Sequence, residues 1–311
     1  MTWNIVCDSS GDMLPAELIP GKISLKVAPL TLLVGEKEYV DDENLNVPEF
    51  LAAMAAEKGP SGTACPSPDA FARAFSSADC SLCFCISGNL SGTYNAACLA
   101  RDMVLEEHPE KKIHVVDTCS TSGSLYLLTQ MAVELIQADV PFEEIARRLD
   151  QERDDQRTVF TLQCFDNLVK NGRMKPLLGT ILEGLGIHVI ADATPIGTIR
   201  VVDKARGRSG PIAAWWSTCR RKRTAPDGTW SLPTARTWGV RKSRGLRLRS
   251  LAQFHRDPPP FFFPPPWYHR FRHRSMPDRR ICQKVRKKWK NVCIFQHAVV
   301  YYMRIKRNHI K

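Results

Sequence analysis

An α/β fold is predicted for the first two thirds of this 311-residue chain: an open, mostly parallel sheet, followed by the start of a second α/β domain. The C-terminal third has no recognisable fold. Three observations predict this. Short apolar runs without alternation read as strands buried on both faces. Segments with apolar residues at helical spacing follow them. Loops of glycine and small hydroxyl residues stand at the strand ends, where an open α/β sheet binds ligands.

The elements follow in order. Asn4 to Cys7 reads as a buried strand ending at Asp8, before the turn-rich DSSGDMLP. Ile23 to Val34 is extended, and Gly35 turns the chain toward Tyr39. Val47 to Lys58 (VPEFLAAMAAEK) is a helix with proline in its first turn, where a missing N–H is harmless. Pro68 to Ser76 starts another helix. Ser81 to Ile86 (SLCFCI) is a buried strand and Asn95 to Glu107 a helix. Ile113 to Val116 is a strand, Ser122 to Gln137 a helix, and Pro141 to Leu149 a helix with acidic residues in its first turn. Residues 1–155 are read as the first α/β domain, 156–207 as the start of a truncated second, and 208–311 as a basic tail.

Charge divides the chain at the same place. The net charge of +12 suggests a polyanion partner, but residues 1–207 carry 18 of the 44 Lys and Arg and 29 of the 32 Asp and Glu. Residues 208–311 carry 26 basic side chains against three acidic ones, Asp227, Asp257 and Asp278. This tail has no glutamate, four leucines and six of the seven tryptophans, far from ordinary usage. Its RDPPPFFFPPPWYHRFRHR stretch, 256–274, suits neither a helix nor an inner strand, because proline removes donors. Three readings compete: a nucleic-acid or anionic-surface binding tail, a disordered proline-rich linker, and translation in the wrong frame. The abrupt loss of local consistency favours the third. No nucleic-acid binding is expected from the N-terminal region.

CISGNLSGTYNAA, 85–97, places two hydroxyl and glycine clusters between a buried strand and a helix. The first turn of a helix leaves N–H groups unpartnered and positively polarised, which suits an anion. A serine N-cap in a tight turn is the plainer reading of a lone Ser-Gly-Thr.

Six ordered blocks carry a resemblance to the DegV family: IVCDSSGDMLPAEL at 5–18, GTACPSPDAF at 62–71, ISGNLSGTYNAA at 86–97, VVDTCSTSGS at 115–124, LVKNGRM at 168–174 and PIGTIRVVDKARG at 195–207. They span residues 4 to about 207. The resemblance implies an EDD fold and a cytoplasmic protein that binds a long-chain fatty acid and presents it to a fatty acid kinase subunit, with no catalysis or cofactor of its own. It implies that hydroxyls of the Thr-x-x-Pro-Ser and Leu-Ser-Gly-Thr segments hold the carboxylate, which assigns Thr63, Ser91, Gly92 and Thr93. Arg173 matches a position near the head group and the kinase-facing surface; a surface ion pair or helix-end charge is the competing reading. A carboxylate at the end of an apolar tunnel needs its oxygens satisfied, and hydroxyls with helix-terminal amides do so without a buried countercharge. The acyl chain needs only an apolar slot between domains.

Two departures stand out. Ala64-Cys65 replaces the family's Ser-Gln, and the tail offers no counterpart for the family's C-terminal domain or its histidine near the carboxylate. His255, His269, His273, His297 and His309 receive no assignment, and a chain whose second domain is lost would be non-functional.

Other chemistry is weakly supported. Cys80, Cys83 and Cys85 lie in an apolar strand whose alternation separates neighbours, so buried thiols in a reducing compartment are expected rather than zinc ligands. Asp8 and Asp117 end what read as adjacent strands and could hold a metal or bond loop amides. His114 reads as a structural histidine. Ser91 lacks the nucleophile-elbow pattern and no phosphate-loop motif is present, so no catalytic residue is assigned. No signal peptide or transmembrane span is expected; the apolar stretch Val299 to Met303 is too short to cross a bilayer.

Overall fold

The computed structural model describes residues 1–162, 165–175, 187–206, 230–231 and 299–305. Its first sheet begins with β1 (Trp3–Asp8), β2 (Ala16–Ile19) and β3 (Ile23–Ala28), and is completed by β7 (Cys80–Cys85) and β8 (Lys112–Asp117). The order across the sheet is β2-β3-β1-β7-β8. All neighbours are parallel except β2, which runs antiparallel on the outer edge of β3. Each residue of β1 and β7 is buried, which is why their sequences show no alternation.

Helices cover both faces. Ile5, Cys7, Leu82 and Phe84 point to one side, where α4 (Gly123–Gln137) and α5 (Phe142–Asp155) supply Leu125, Leu128, Ala132, Ile136, Ile145 and Leu149. Val6, Cys83 and Cys85 point to the other, against Phe71 and Phe75 of α2 (Pro68–Ser76) and Ala97, Ala100 and Val104 of α3 (Thr93–Glu107). The pleat assigns successive residues to opposite layers.

A small antiparallel sheet stands beside this body. It contains β4 (Thr31–Val34), β5 (Lys37–Val40) and β6 (Gly62–Ala64), in the order β5-β4-β6, and packs on α1 (Val47–Ala56) through Leu32, Val34, Phe50 and Met54. Gly35 turns β4 into β5 at φ +59°, a conformation that favours glycine. The sequence reading had no counterpart for β2 or β6.

The second sheet starts with β9 (Gln156–Leu162), directly after α5. It continues through α6 (Asp166–Lys170), β10 (Ile187–Ala193) and β11 (Ile199–Arg206). Two segments of the tail join it, β12 (Trp230–Ser231) and β13 (Val299–Ile305), in the antiparallel order β11-β10-β9-β13-β12. β13 pairs with β9 from Val299 opposite Thr161 to Arg304 opposite Gln156, so the apolar stretch near Val299 is an intrasheet strand. The remainder of 208–311, including the proline-rich 256–274 stretch and the five tail histidines, lies outside the described residues. No helix among the described residues is long and apolar enough to cross a membrane.

Candidate functional site

The first sheet has its topological switch point between β1 and β7. The chain leaves β1 toward β3 on one side and leaves β7 toward β8 on the other. Ligands of open α/β sheets bind at the carboxyl ends of the strands at such a point. The loop that leaves β7 there is Ser87 to Gly92.

Backbone bonds define that loop. The Ser87 carbonyl accepts from the amides of Leu90 at 2.9 Å and Ser91 at 3.1 Å, and the Ser87 amide donates to Ser120 at 2.8 Å. Ser87 Oγ accepts from the Asn89 amide at 3.2 Å. Ser91 Oγ and Thr93 Oγ1 stand 2.8 Å apart and share one hydrogen bond. Ser91 is partly exposed and its hydroxyl keeps further hydrogen-bonding capacity for a ligand, whereas Thr93 is fully buried behind it. Gly92 is the N-cap of α3 and brings no side-chain cap, and Ser91 Oγ accepts from the first helical amide, that of Thr93, at 3.4 Å.

Thr63 lies at the centre of β6, paired with Leu32, and its side chain is exposed. Two residues on, Cys65 reaches the β7 loop: its sulfur lies 3.4 Å from the point that a Cβ on Gly92 would occupy. The segment that carries Thr63 thus runs beside Gly92. Ser67 of the same segment accepts from the Ala70 amide at 3.3 Å and caps α2.

Arg173 meets the same loop. Its Nε donates to the Leu90 carbonyl at 3.2 Å and its Nη1 to the Asn171 carbonyl at 2.6 Å. Asn171 is the C-cap of α6, so the guanidinium lies at a helix end, and the Leu90 bond sets it beside Ser91. Sequence reasoning missed the other side chains that tie α6 and the β10–β11 turn to the residues around the loop. Asn167 donates to Ser61 Oγ at 2.7 Å and Asn171 to the Ser61 carbonyl at 2.8 Å. Their i, i+4 spacing on one helix face was the signal that could have found them. Asn89 donates to the Ile196 carbonyl at 2.6 Å, across a separation no local pattern encodes.

The strand-end aspartates are occupied by the fold. β7 lies between β1 and β8, so Asp8 and Asp117 do not end adjacent strands, as the sequence reading had supposed. Asp8 is buried and accepts from the amides of Ser10 at 2.9 Å and Ile86 at 2.7 Å. Asp117 accepts from those of Gly88 at 3.1 Å and Cys119 at 2.9 Å. Burial pushes the Asp8 carboxyl up, against those bonds. Desolvation raises Asp12 to about 6 against a 2.6 Å bond from the Ser122 hydroxyl, with the charges of Asp41 and Asp8 adding to the rise. Asp12 as a residue remains accessible to solvent, and screening discounts the energy behind that shift.

Cys83 and Cys85 share the α3 side of β7, with sulfurs 3.6 Å apart. The bond to Cys83 and burial raise the Cys85 thiol, so it stays protonated and inert. His114 pairs with Asp150 at 3.2 Å. No group of three or more His, Cys, Asp or Glu suited to a metal occurs among the described residues. A depression along α2, lined by Asp69, Ala72, Arg73, Ser76 and Ser77, has charged and hydroxyl walls rather than those an acyl chain requires.

Known proteins resemble this chain in sequence and in fold. The family model described as "Uncharacterised protein, DegV family" matches residues 2–229, running past the Gly207 limit of the sequence blocks. A DegV domain-containing protein of Streptococcus pneumoniae is 38% identical over 216 residues, covering 69% of this chain and 76% of its own length. Among solved structures, the Streptococcus pneumoniae Fatty Acid Kinase (Fak) B3 protein loaded with linoleic acid is 35% identical with a TM-score of 0.68, over 71% of this chain and 79% of that one. A DegV family protein of Eubacterium eligens loaded with heptadecanoic acid is 31% identical with a TM-score of 0.66, over 73% and 80%. With a family model matching residues 2–229 and a relative 38% identical over 216 residues, this chain belongs to the DegV family.

Proposed function

We propose that this protein binds a long-chain fatty acid and presents its carboxylate to a separate fatty acid kinase, without catalysis or cofactor of its own, in the cytoplasm. The observation that carries this reading is the paired hydroxyls of Ser91 and Thr93 at the first turn of α3, a helix whose cap residue is a glycine. Hydroxyls and helix-terminal amides satisfy carboxylate oxygens by charge-assisted bonds without burying a second charge. In this reading Thr63, exposed on β6, and Gly92 complete the set. Arg173 stands on the outer side, as a head-group contact and a landing point for the kinase. The fatty-acid ligands named for the Streptococcus pneumoniae and Eubacterium eligens relatives support this ligand class. The acyl chain is assigned to an apolar slot between the unit of residues 1–155 and the unit that begins at 156.

The test is extraction of the purified chain into organic solvent and mass spectrometry of the extract. Ser91→Ala and Thr63→Ala each remove one hydrogen bond to a charged group, worth about 1.5–3 kcal/mol, or roughly 10- to 100-fold in affinity. Correctly folded protein that yields no fatty acid and takes none up would refute the reading. The charge of residues 208–311 favours polyanion binding as a second function, tested by the salt dependence of binding to duplex DNA.

A further inference from the structure

Resting on the fatty-acid reading above, we infer that the turn between β10 and β11 is the positioning element of the carboxylate site, with Gly197 and Asn89 as positioning residues that set where Ser91 stands. The turn comes from the second unit, yet it seats on the loops that end two strands of the first.

Its fit admits no side chain. A Cβ on Gly197 would fall on the Ser87 hydroxyl and within 2.8 Å of the Cys119 Cα, and the residue holds φ +79°, where other residues are strained. Beside it, the Ile196 carbonyl accepts from Asn89 Nδ2 at 2.6 Å. Gly197 therefore presses on Ser87 while Ile196 holds Asn89. Both belong to the loop that carries Ser91.

Ser87 passes this placement on. Its hydroxyl accepts from the Asn89 amide, and its carbonyl accepts from the amides of Leu90 and Ser91. A shift of Ser87 moves the Ser91 backbone, and with it the hydroxyl that faces Thr93. Side chains that bind a ligand act well only when a supporting layer fixes them to a fraction of an ångström.

The turn is stiff enough for that task. Arg200 donates from Nε and Nη2 to both oxygens of the buried Asp192, at 2.9 and 2.7 Å, and the two residues are register partners across the hairpin. Bidentate pairs of this kind add directional constraint. Thr194 and Thr198 close the end with hydroxyls 2.7 Å apart and a backbone bond of 2.9 Å, and the Gly197 amide donates to Thr194 at 2.8 Å.

Two measurements on the full chain test this. One is hydrogen exchange at the Leu90 and Ser91 amides of delipidated protein, and the other is uptake of a fluorescent long-chain fatty acid. Asn89→Ala deletes a surface bond and should fold normally. It is expected to speed exchange at both amides and to weaken uptake, each by about 2- to 10-fold, with an unchanged thermal midpoint. Gly197→Ala should do the same more strongly; if it fails to fold, Asn89→Ala decides. A merely structural contact would lower the thermal midpoint without this local loss of protection. Unchanged exchange and uptake in Asn89→Ala would overturn the inference. If wild-type protein takes up no fatty acid while Asn89→Ala still loses protection at Ser91, the fatty-acid reading falls and the positioning of Ser91 by the hairpin turn stands.

Discussion

The Arg173 guanidinium joins the end of α6 to the loop of Ser91 by donating to the Leu90 carbonyl at 3.2 Å. Its second nitrogen is spent on Asn171, 2.6 Å away. One planar side chain reaches two backbone acceptors that a single ammonium cannot reach in the same geometry.

Arg173→Ala is therefore expected to change global stability by less than about 1 kcal/mol, since the side chain is exposed. Fatty acid retention should fall by about 2- to 10-fold, and transfer to a fatty acid kinase by more. Arg173→Lys should recover only part of either. Equilibrium denaturation, lipid retention and a coupled phosphorylation assay separate the three effects.

Leu82 is fully buried at the centre of β7, on the layer covered by α4 and α5. Leu82→Ala should lower the stability of the first unit by about 2–5 kcal/mol, through lost transfer energy and the cavity left behind. Urea unfolding followed by far-UV circular dichroism measures this as an earlier midpoint.

Ser67 tests the plainer role of a hydroxyl in the same region. Its Oγ accepts from the Ala70 amide at 3.3 Å, so Ser67→Ala should cost about 1 kcal/mol of stability. Its effect on ligand retention should be smaller than that of Thr63→Ala. The reverse order would show that the ligand uses Ser67.

The raised carboxyls give stability a definite slope with pH. Asp8 and Asp12 bind protons more tightly folded than unfolded, because burial and desolvation disfavour their charged forms. Their contribution is full below the unfolded value of 3.8 and is lost as pH rises through the folded values, about 6 for Asp12. Asp12→Asn should flatten that decline between 3.8 and about 6 and leave the variant more stable than wild type above it. Comparing the two chains across pH cancels the opposite slope from Glu144, which Arg147 and Arg148 hold at about 2.

Much of the first unit was legible in the sequence because its signals are local. Asn4 to Cys7 and Ser81 to Ile86 are apolar at nearly every position, and both strands are buried on two faces. Pro48, Pro68 and the acids after Pro141 marked helix starts that fall within a residue or two of those observed. β2 and β6 were not legible. Four and three residues long, they owe their extended form to β3 and β4 rather than to a period of their own. The hydroxyl clusters of 87–93 stood out in the sequence, while the contacts that hold their loop did not. Asn89 meets Ile196 107 residues away, and Gly197 is recognisable as necessary only once Ser87 and Cys119 are in place.

The central claim is tested most directly by the lipid content of the purified full-length chain. The protein would be extracted under denaturing conditions, its fatty acids quantified by mass spectrometry per mole of chain, and the Ser91→Ala variant prepared alongside. The account predicts close to one long-chain fatty acid per wild-type chain and a clear deficit in the variant. Folded wild-type protein that carries no fatty acid and acquires none from an excess of added lipid would contradict it.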